Sequence, residues 1–367
     1  MTSTSRRPRG LIAAVALGVT TVVLVTSVGT VGAASASPRT TNSATDPARR
    51  GLYGAQDPTY DGVYRQALSI LALRASGSTV DRSAVRWLLR QQCANGRWTS
   101  FRADLTSACG AGDSNATAMA VMALRAINRR VPARAGLGWL RRHEVSGGGW
   151  EYSAGWGADG NSTGLAMQAF LAMGRPPSGV TRGGSSGFAF LASLQLGCTA
   201  TPAERGALDY QVESPLAPND FATAQAAQAL ARASLPVAPT HAWAAAQRPD
   251  CTGGDLGISA RAAAVGYLAR VLRTNSGAIP SVVGTGADIG STANAVLSLV
   301  AAGTAQRQVR AAMATVESQA RSFVLSNRRI LPGGAALVVL AEHATGGNPH
   351  DVAGLDLVRR IGDSITQ

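Results

Sequence analysis

Ten-residue blocks of small and apolar residues recur along this chain, and few folds can accommodate them. Aligned on Thr117, Thr163, Thr223 and Thr292, they read TAMAVMALRA, TGLAMQAFLA, TAQAAQALAR and TANAVLSLVA. Blocks from Gln66 (QALSILALRA), Arg261 (RAAAVGYLAR) and Gly333 (GGAALVVLAE) follow the same template. The intervals are 51, 46, 60, 69 and 41 residues, with the Arg261 block inside the longest. Repetition on this scale marks stacked supersecondary units that cannot bury their apolar faces alone. A helix that is apolar nearly all round has packing partners on both sides.

Between these blocks runs a second helix type with one polar face: residues 83–92, 134–144, 187–196 and 241–248. Each carries an aromatic (Trp87, Trp139, Phe190, Trp243), followed by Gln92, Glu144, Gln195 or Gln247. Buried and amphipathic helices therefore alternate, and doubly buried inner helices close most simply into two concentric rings. No stretch alternates with period two, which argues against a sheet. The expectation is an all-α fold: an α/α toroid of about six to seven helical hairpins, with inner Ala-rich helices and outer amphipathic ones. The C-terminal part is less regular. Asn327–Pro332 interrupts it, and after Arg360 a further loop and inner helix are expected.

Two loops carry a motif. Gln92, Gly96 and Trp98 form Q-x-x-x-G-x-W, and Glu144, Gly148 and Trp150 echo it. The glycine supports a tight helix exit, the Gln bonds loop backbone, and the Trp fills the gap between repeats. On these residues the chain resembles the squalene-cyclase and prenyltransferase repeat superfamily of toroids, over about Tyr53 to Arg360. The stretch from Asn161 to Gln168 also resembles the inner helix of cobalamin carriers of the intrinsic-factor and transcobalamin type. These motifs specify fold well and function poorly.

Arg6, Arg7 and Arg9 precede an uncharged run from Gly10 to Pro38, with small residues Ala34-Ser35-Ala36 near its end. That layout predicts a signal peptide over 1–36, a disordered linker over 37–52 and a toroid domain over 53–367. The run is also long enough to span a bilayer, but it ends in small residues instead of a basic stop. Export to the extracytoplasmic side, with cell-surface association in view, follows from this leader. All 34 basic residues are Arg; against 21 acidic residues they give +13. The arginines are scattered over helix faces without the basic stripe and interleaved aromatics of a nucleic-acid surface. Four Cys in an exported chain favour disulfides, Cys93 with Cys109 and Cys198 with Cys251. Neither a CxxC nor a His pair supports zinc instead.

The chemistry of the resembled families is not legible here. Cyclases of the superfamily use a D-x-D-D acid cluster, which is absent; Asp250 and Asp255 lack the pattern. Prenyltransferase zinc ligands are not found either: Ser162 stands where a ligand His would sit, and His143, His241, His343 and His350 are scattered. No sequence feature calls for a cofactor. What recurs is a polar start to the inner blocks: Asp113 and Asn115; Asp159, Asn161 and Ser162; Asp220; and Asp288. Such residues cap helices. A toroid gathers all these starts around one mouth, so capping groups there also face a cavity. Tyr152 and Trp156, in GGGWEYSAGWG, fall outside the plug position and are the better ligand candidates, whereas Trp98 and Trp150 read as plugs.

The sequence thus predicts an exported toroid that binds a small or medium-sized ligand at the central mouth, with a corrinoid or other heterocycle as the sharpest candidate. Cobalamin carriers close over their ligand with a β-rich domain, for which this chain has no room. A membrane uptake component or lid protein is the partner this implies. The rivals are an isoprenoid or envelope-glycan enzyme with an unrecognised site, and a structural scaffold for protein interaction.

Overall fold

The computed structural model describes residues 46–367; the expected leader lies outside the described residues. Twelve helices form there: α1 (Gly62–Ala75), α2 (Arg82–Arg90), α3 (Ser114–Ala126), α4 (Arg130–Arg142), α5 (Gly160–Ala172), α6 (Gly187–Ser193), α7 (Asp220–Leu230), α8 (Ala260–Thr274), α9 (Ile289–Ala302), α10 (Gln306–Val324), α11 (Pro332–Thr345) and α12 (Leu357–Asp363). The strands are limited to two hairpins, β1 (Thr181–Arg182) with β2 (Ser185–Ser186) and β3 (Leu325–Ser326) with β4 (Arg329–Ile330).

The Thr-aligned blocks are inner helices. Going round, α1, α3, α5, α7, α9 and α11 each pack on the next, and α11 packs back on α1. The ring is closed. Small residues set the spacing: a Cβ at Gly164 on α5 would overlap Ala226 Cα on α7. Each even-numbered helix packs on the inner helix before it, giving six hairpins. On amphipathic α4, Ala133, Gly136, Trp139 and Leu140 are buried while its arginines stay outside. Burial of one apolar stripe stabilises such a helix more than its own propensity does.

Two helix assignments need correction. The Arg261 block is not inner: it forms α8, an outer helix against α7, α9 and α10. Residues 241–248 are not helical; they run extended, with Ala244 bridged in parallel to Thr304. Pro236, Pro239 and Pro249 bracket this stretch, removing N–H donors and disfavouring the α region before each.

Among the described residues no further inner helix follows α12; α1 packs on α11 and occupies the place where one was expected. The first and last of the described segments meet instead: Tyr53 bridges Ile365, Gly51 N–H donates to Thr366 O at 2.9 Å, and Gly54 N–H donates to Ser364 O at 3.0 Å. Residues 46–52, within the expected linker, form turns here; Leu52 is buried, and Trp87 Nε1 donates to Ala48 O at 2.6 Å.

The loop motif works as its residues suggest. Gln92 Nε2 donates to Gly96 O (2.9 Å) and to Pro132 O (3.0 Å). Gly96 has φ +96°, and a Cβ there would overlap the Ala135 carbonyl on α4, so only glycine fits. Trp98 is fully buried, its Nε1 donating to Leu88 O at 2.9 Å. Trp150 repeats this with Leu140 O at 2.8 Å. Cys93–Cys109 and Cys198–Cys251 are both disulfides. Among the described residues no helix is long and apolar enough to cross a membrane.

Candidate functional site at the mouth of the ring

Four inner helices, α3, α5, α7 and α9, begin with the polar residues singled out above, and three of these residues cap. Asp113 accepts from Ala116 N–H (2.8 Å), Asp159 from Ser162 N–H (2.7 Å) and Asp288 from Ser291 N–H (2.9 Å). Asn219, not Asp220, caps α7, accepting from Ala222 N–H at 2.9 Å. Capping satisfies N–H groups that have no partner inside the helix.

Around Asp113 the capping groups become part of something larger. Its other carboxylate oxygen accepts from Ser100 Oγ at 2.8 Å, and that hydroxyl stands 3.3 Å from the Tyr152 hydroxyl. Asp113 and Asp159 are buried. Burial raises both carboxyls to about 6, against the hydrogen bonds that favour their charged forms. Tyr210 lies close enough to feel Asp159 and Tyr152. Tyr64, on α1, faces Gln225 of α7 and feels Asp113.

A pocket of about 370 Å³ opens over this group, with Ser100, Phe101, Arg102, Asp113 and Tyr152 in its wall. Its outer wall is the loop before α3, which Cys93–Cys109 clamps. Gln91 holds the loop through both amide atoms, donating to Arg102 O (3.1 Å) and accepting from Arg102 N–H (2.6 Å). Tyr152 and Ser153, at the start of the 151–158 hairpin, also line the pocket, and within that hairpin Glu151 accepts from Gly155 N–H (3.0 Å) and Gly157 N–H (3.1 Å). Glu151 is thus engaged in shaping the loop. Trp156, at its tip, is 64% exposed and stands edge-on to Tyr152, ring centroids 5.8 Å apart.

Not every candidate joins this group. Asp220 and Asp288 lie together elsewhere on the rim: Asp220 accepts from the Tyr267 hydroxyl at 2.5 Å and feels Asp288. Asn115 is half-buried, accepting from Ser114 Oγ at 3.5 Å. Asn161 Oδ1 and Ser162 Oγ are buried without a hydrogen-bond partner. Gln168 on α5 and Gln225 and Gln228 on α7 likewise each bury an unpaired Oε1. Buried polar groups are rarely left in this state. Sequence reasoning missed Ser100, Gln91 and Arg102, whose roles depend on the folded loop; the disulfide bracket around 94–108 was the available signal. Among the described residues no group of His, Cys, Asp and Glu could hold a metal ion.

No protein-family model matches the chain, and no curated protein matches it. Solved structures do resemble it in fold. The type II terpene cyclase MstE from Scytonema is 15% identical over 77% of this chain and 87% of its own, with a TM-score of 0.48. A sugar epimerase from a ruminal bacterium is 10% identical over 81% of this chain and 93% of its own, TM-score 0.48. The glucoamylase of Hormoconis resinae is 12% identical over 82% and 69%, TM-score 0.48.

Proposed function

We propose that this chain is an exported toroid that binds a small hydroxylated ligand at the mouth of its inner ring. The observation that carries the reading is the Asp113–Ser100–Tyr152 group lying in the wall of the 370 Å³ pocket, with exposed Trp156 against Tyr152. Ligand sites combine apolar surface with a few convergent polar groups. Here the carboxyl and hydroxyls offer hydrogen bonds, while Trp156 offers an aromatic face to a sugar-like or planar ring. A pocket of this size suits a molecule of a few hundred daltons. A corrinoid fits the same reading only with its edge in the pocket and its macrocycle on Trp156. A lid protein or membrane uptake component would then cover what stays outside.

Tryptophan fluorescence tests this, because Trp156 is exposed beside the pocket. Glucose, cellobiose and cyanocobalamin form the first panel. A saturable change that Trp156→Ala removes supports the site; its absence for every member overturns this choice of ligand.

One observation favours a second reading, an enzyme acting on a hydroxylated substrate. A carboxyl with a pKa of about 6 exchanges protons readily near neutral pH, as general acid–base work requires. Under that reading Asp113→Asn abolishes turnover of a bound glycoside while leaving its binding intact.

A further inference from the structure

The extended strip at 244–248 forms one wall of a second pocket, away from the mouth. Ala244 N–H donates to Gly303 O at 2.8 Å, and Ala244 O accepts from Ala305 N–H at 3.0 Å. On α8, Gly266 has no side chain where one would overlap the Gln247 carbonyl, so the strip lies close against that helix. The Cys198–Cys251 disulfide ties down its far end. The pocket holds about 330 Å³, and Arg248 from the strip, Arg270 and Arg273 from α8, and Arg307 from α10 line it. Among the described residues no Asp or Glu lines it.

Arg270 is fixed in place. Its Nε donates to Ala203 O (3.1 Å), its Nη2 to Arg205 O (2.6 Å), and its Cζ stands 5.6 Å over the Tyr267 ring. Burial first, and then the charges of Arg273 and Arg248 among its neighbours, disfavour its protonated form. Like charges gathered without a counter-charge raise one another's energy, and an anion relieves this. The 19-residue helix α10 starts at the same wall with Ala305 as its N-cap, and no side chain caps it. The unpaired N–H groups of its first turn and the positive end of its dipole add to the same field.

We propose that this pocket is a second binding site, one that takes a phosphoryl group. Guanidinium forks match the paired oxygens of phosphate. Arg248, Arg273 and Arg307 offer such forks, and Arg270, whose Nε and Nη2 already donate to carbonyls, adds its charge. Four cations around one pocket favour a multiply charged anion over a single carboxylate. The site is independent of the mouth.

Isothermal titration with inorganic pyrophosphate, at ionic strength held constant with chloride, tests it. One saturable site is expected. Arg273→Gln and Arg307→Gln, at exposed positions that hold no other element in place, each weaken it about tenfold. The triple variant Arg248→Ala/Arg273→Ala/Arg307→Ala abolishes it with the thermal midpoint kept, and Trp156→Ala leaves it unchanged. Inorganic phosphate and glycerol phosphate, titrated in parallel, separate the sources: tighter binding of glycerol phosphate points to a phosphorylated molecule, tighter binding of the free ion to phosphate itself. No saturable heat with any of these anions, or affinity unaltered in both single variants, overturns the proposal. Because Trp156→Ala and the arginine variants read separate sites, failure here is distinguishable from failure of the mouth reading.

Discussion

The backbone N–H of Trp150 donates to Thr163 Oγ at 3.0 Å, joining the loop to α5, the helix that follows it. The bond recurs as Trp98 to Thr117 (3.0 Å), Leu208 to Thr223 (2.8 Å) and Ile279 to Thr292 (3.0 Å). At the seam Gln66 Oε1 takes the same place, accepting from Tyr53 N–H at 2.8 Å. In four of the six repeats the aligned threonine therefore holds the buried loop residue that precedes the inner helix. Thr163→Val keeps the shape and orphans a buried N–H, so a loss of about 1–3 kcal/mol is expected in urea unfolding. An exposed control such as Thr106→Val changes stability by no more than about 0.5 kcal/mol.

The inner ring was legible because its signal is compositional. Helices apolar on every side must be buried on every side, and seven such blocks in one chain leave little choice but closure, although one of them, the Arg261 block, proved to lie outside the ring. The strip at 241–248 was not legible, since its Trp243 and Gln247 repeat the aromatic and Gln of the outer-helix pattern, only with a spacing of four residues where the others have five. What decides against a helix there is tertiary: the bridge to Thr304 and the gap at Gly266. The same holds at the mouth. Asp113 and Tyr152 could be named from their place in the repeat, whereas Ser100, which links them, depends on the path of a clamped loop.

Glu144 stands where two other repeats have Gln92 and Gln195, which donate to loop carbonyls. A carboxylate cannot donate; Glu144 Oε1 is buried and unpaired, and burial raises the group to about 7. Glu144→Gln is expected to stabilise the fold by about 1 kcal/mol at pH 8 through a restored hydrogen bond.

Raised carboxyls set the direction of the pH dependence. Asp113 and Asp159 move to about 6, Glu144 and Glu342 to about 7. Each binds its proton more tightly folded than unfolded. Their contribution is therefore complete below the ordinary carboxylate range near 4 and is lost as pH rises through 6 and 7. Calorimetry should show a higher melting temperature at pH 5 than at pH 8, with a smaller difference in Glu144→Gln.

The two disulfides differ in the loops they close, 16 residues for Cys93–Cys109 and 53 for Cys198–Cys251. On the chain-entropy account the longer loop contributes about 1 kcal/mol more. Paired Cys→Ser variants, compared by urea unfolding, check the order. Loss of the 93–109 bridge is expected to weaken ligand binding at the mouth as well, because it clamps the pocket wall.

Trp150 and Trp156 separate structure from binding within one loop. Trp150→Ala, at a fully buried plug, is expected to cost about 3–5 kcal/mol. Trp156→Ala, at a side chain 64% exposed, should leave the melting temperature within about a degree while weakening mouth binding. Equal losses of stability in the two variants would assign Trp156 to packing.

Native mass spectrometry of the protein purified from the cells that make it tests the central reading most directly. The account predicts a bound species of a few hundred daltons that is lost in the Tyr152→Ala/Trp156→Ala double variant and retained in the arginine-pocket variants. A bare chain mass, or a ligand that survives the double variant, would contradict a binding site at the mouth.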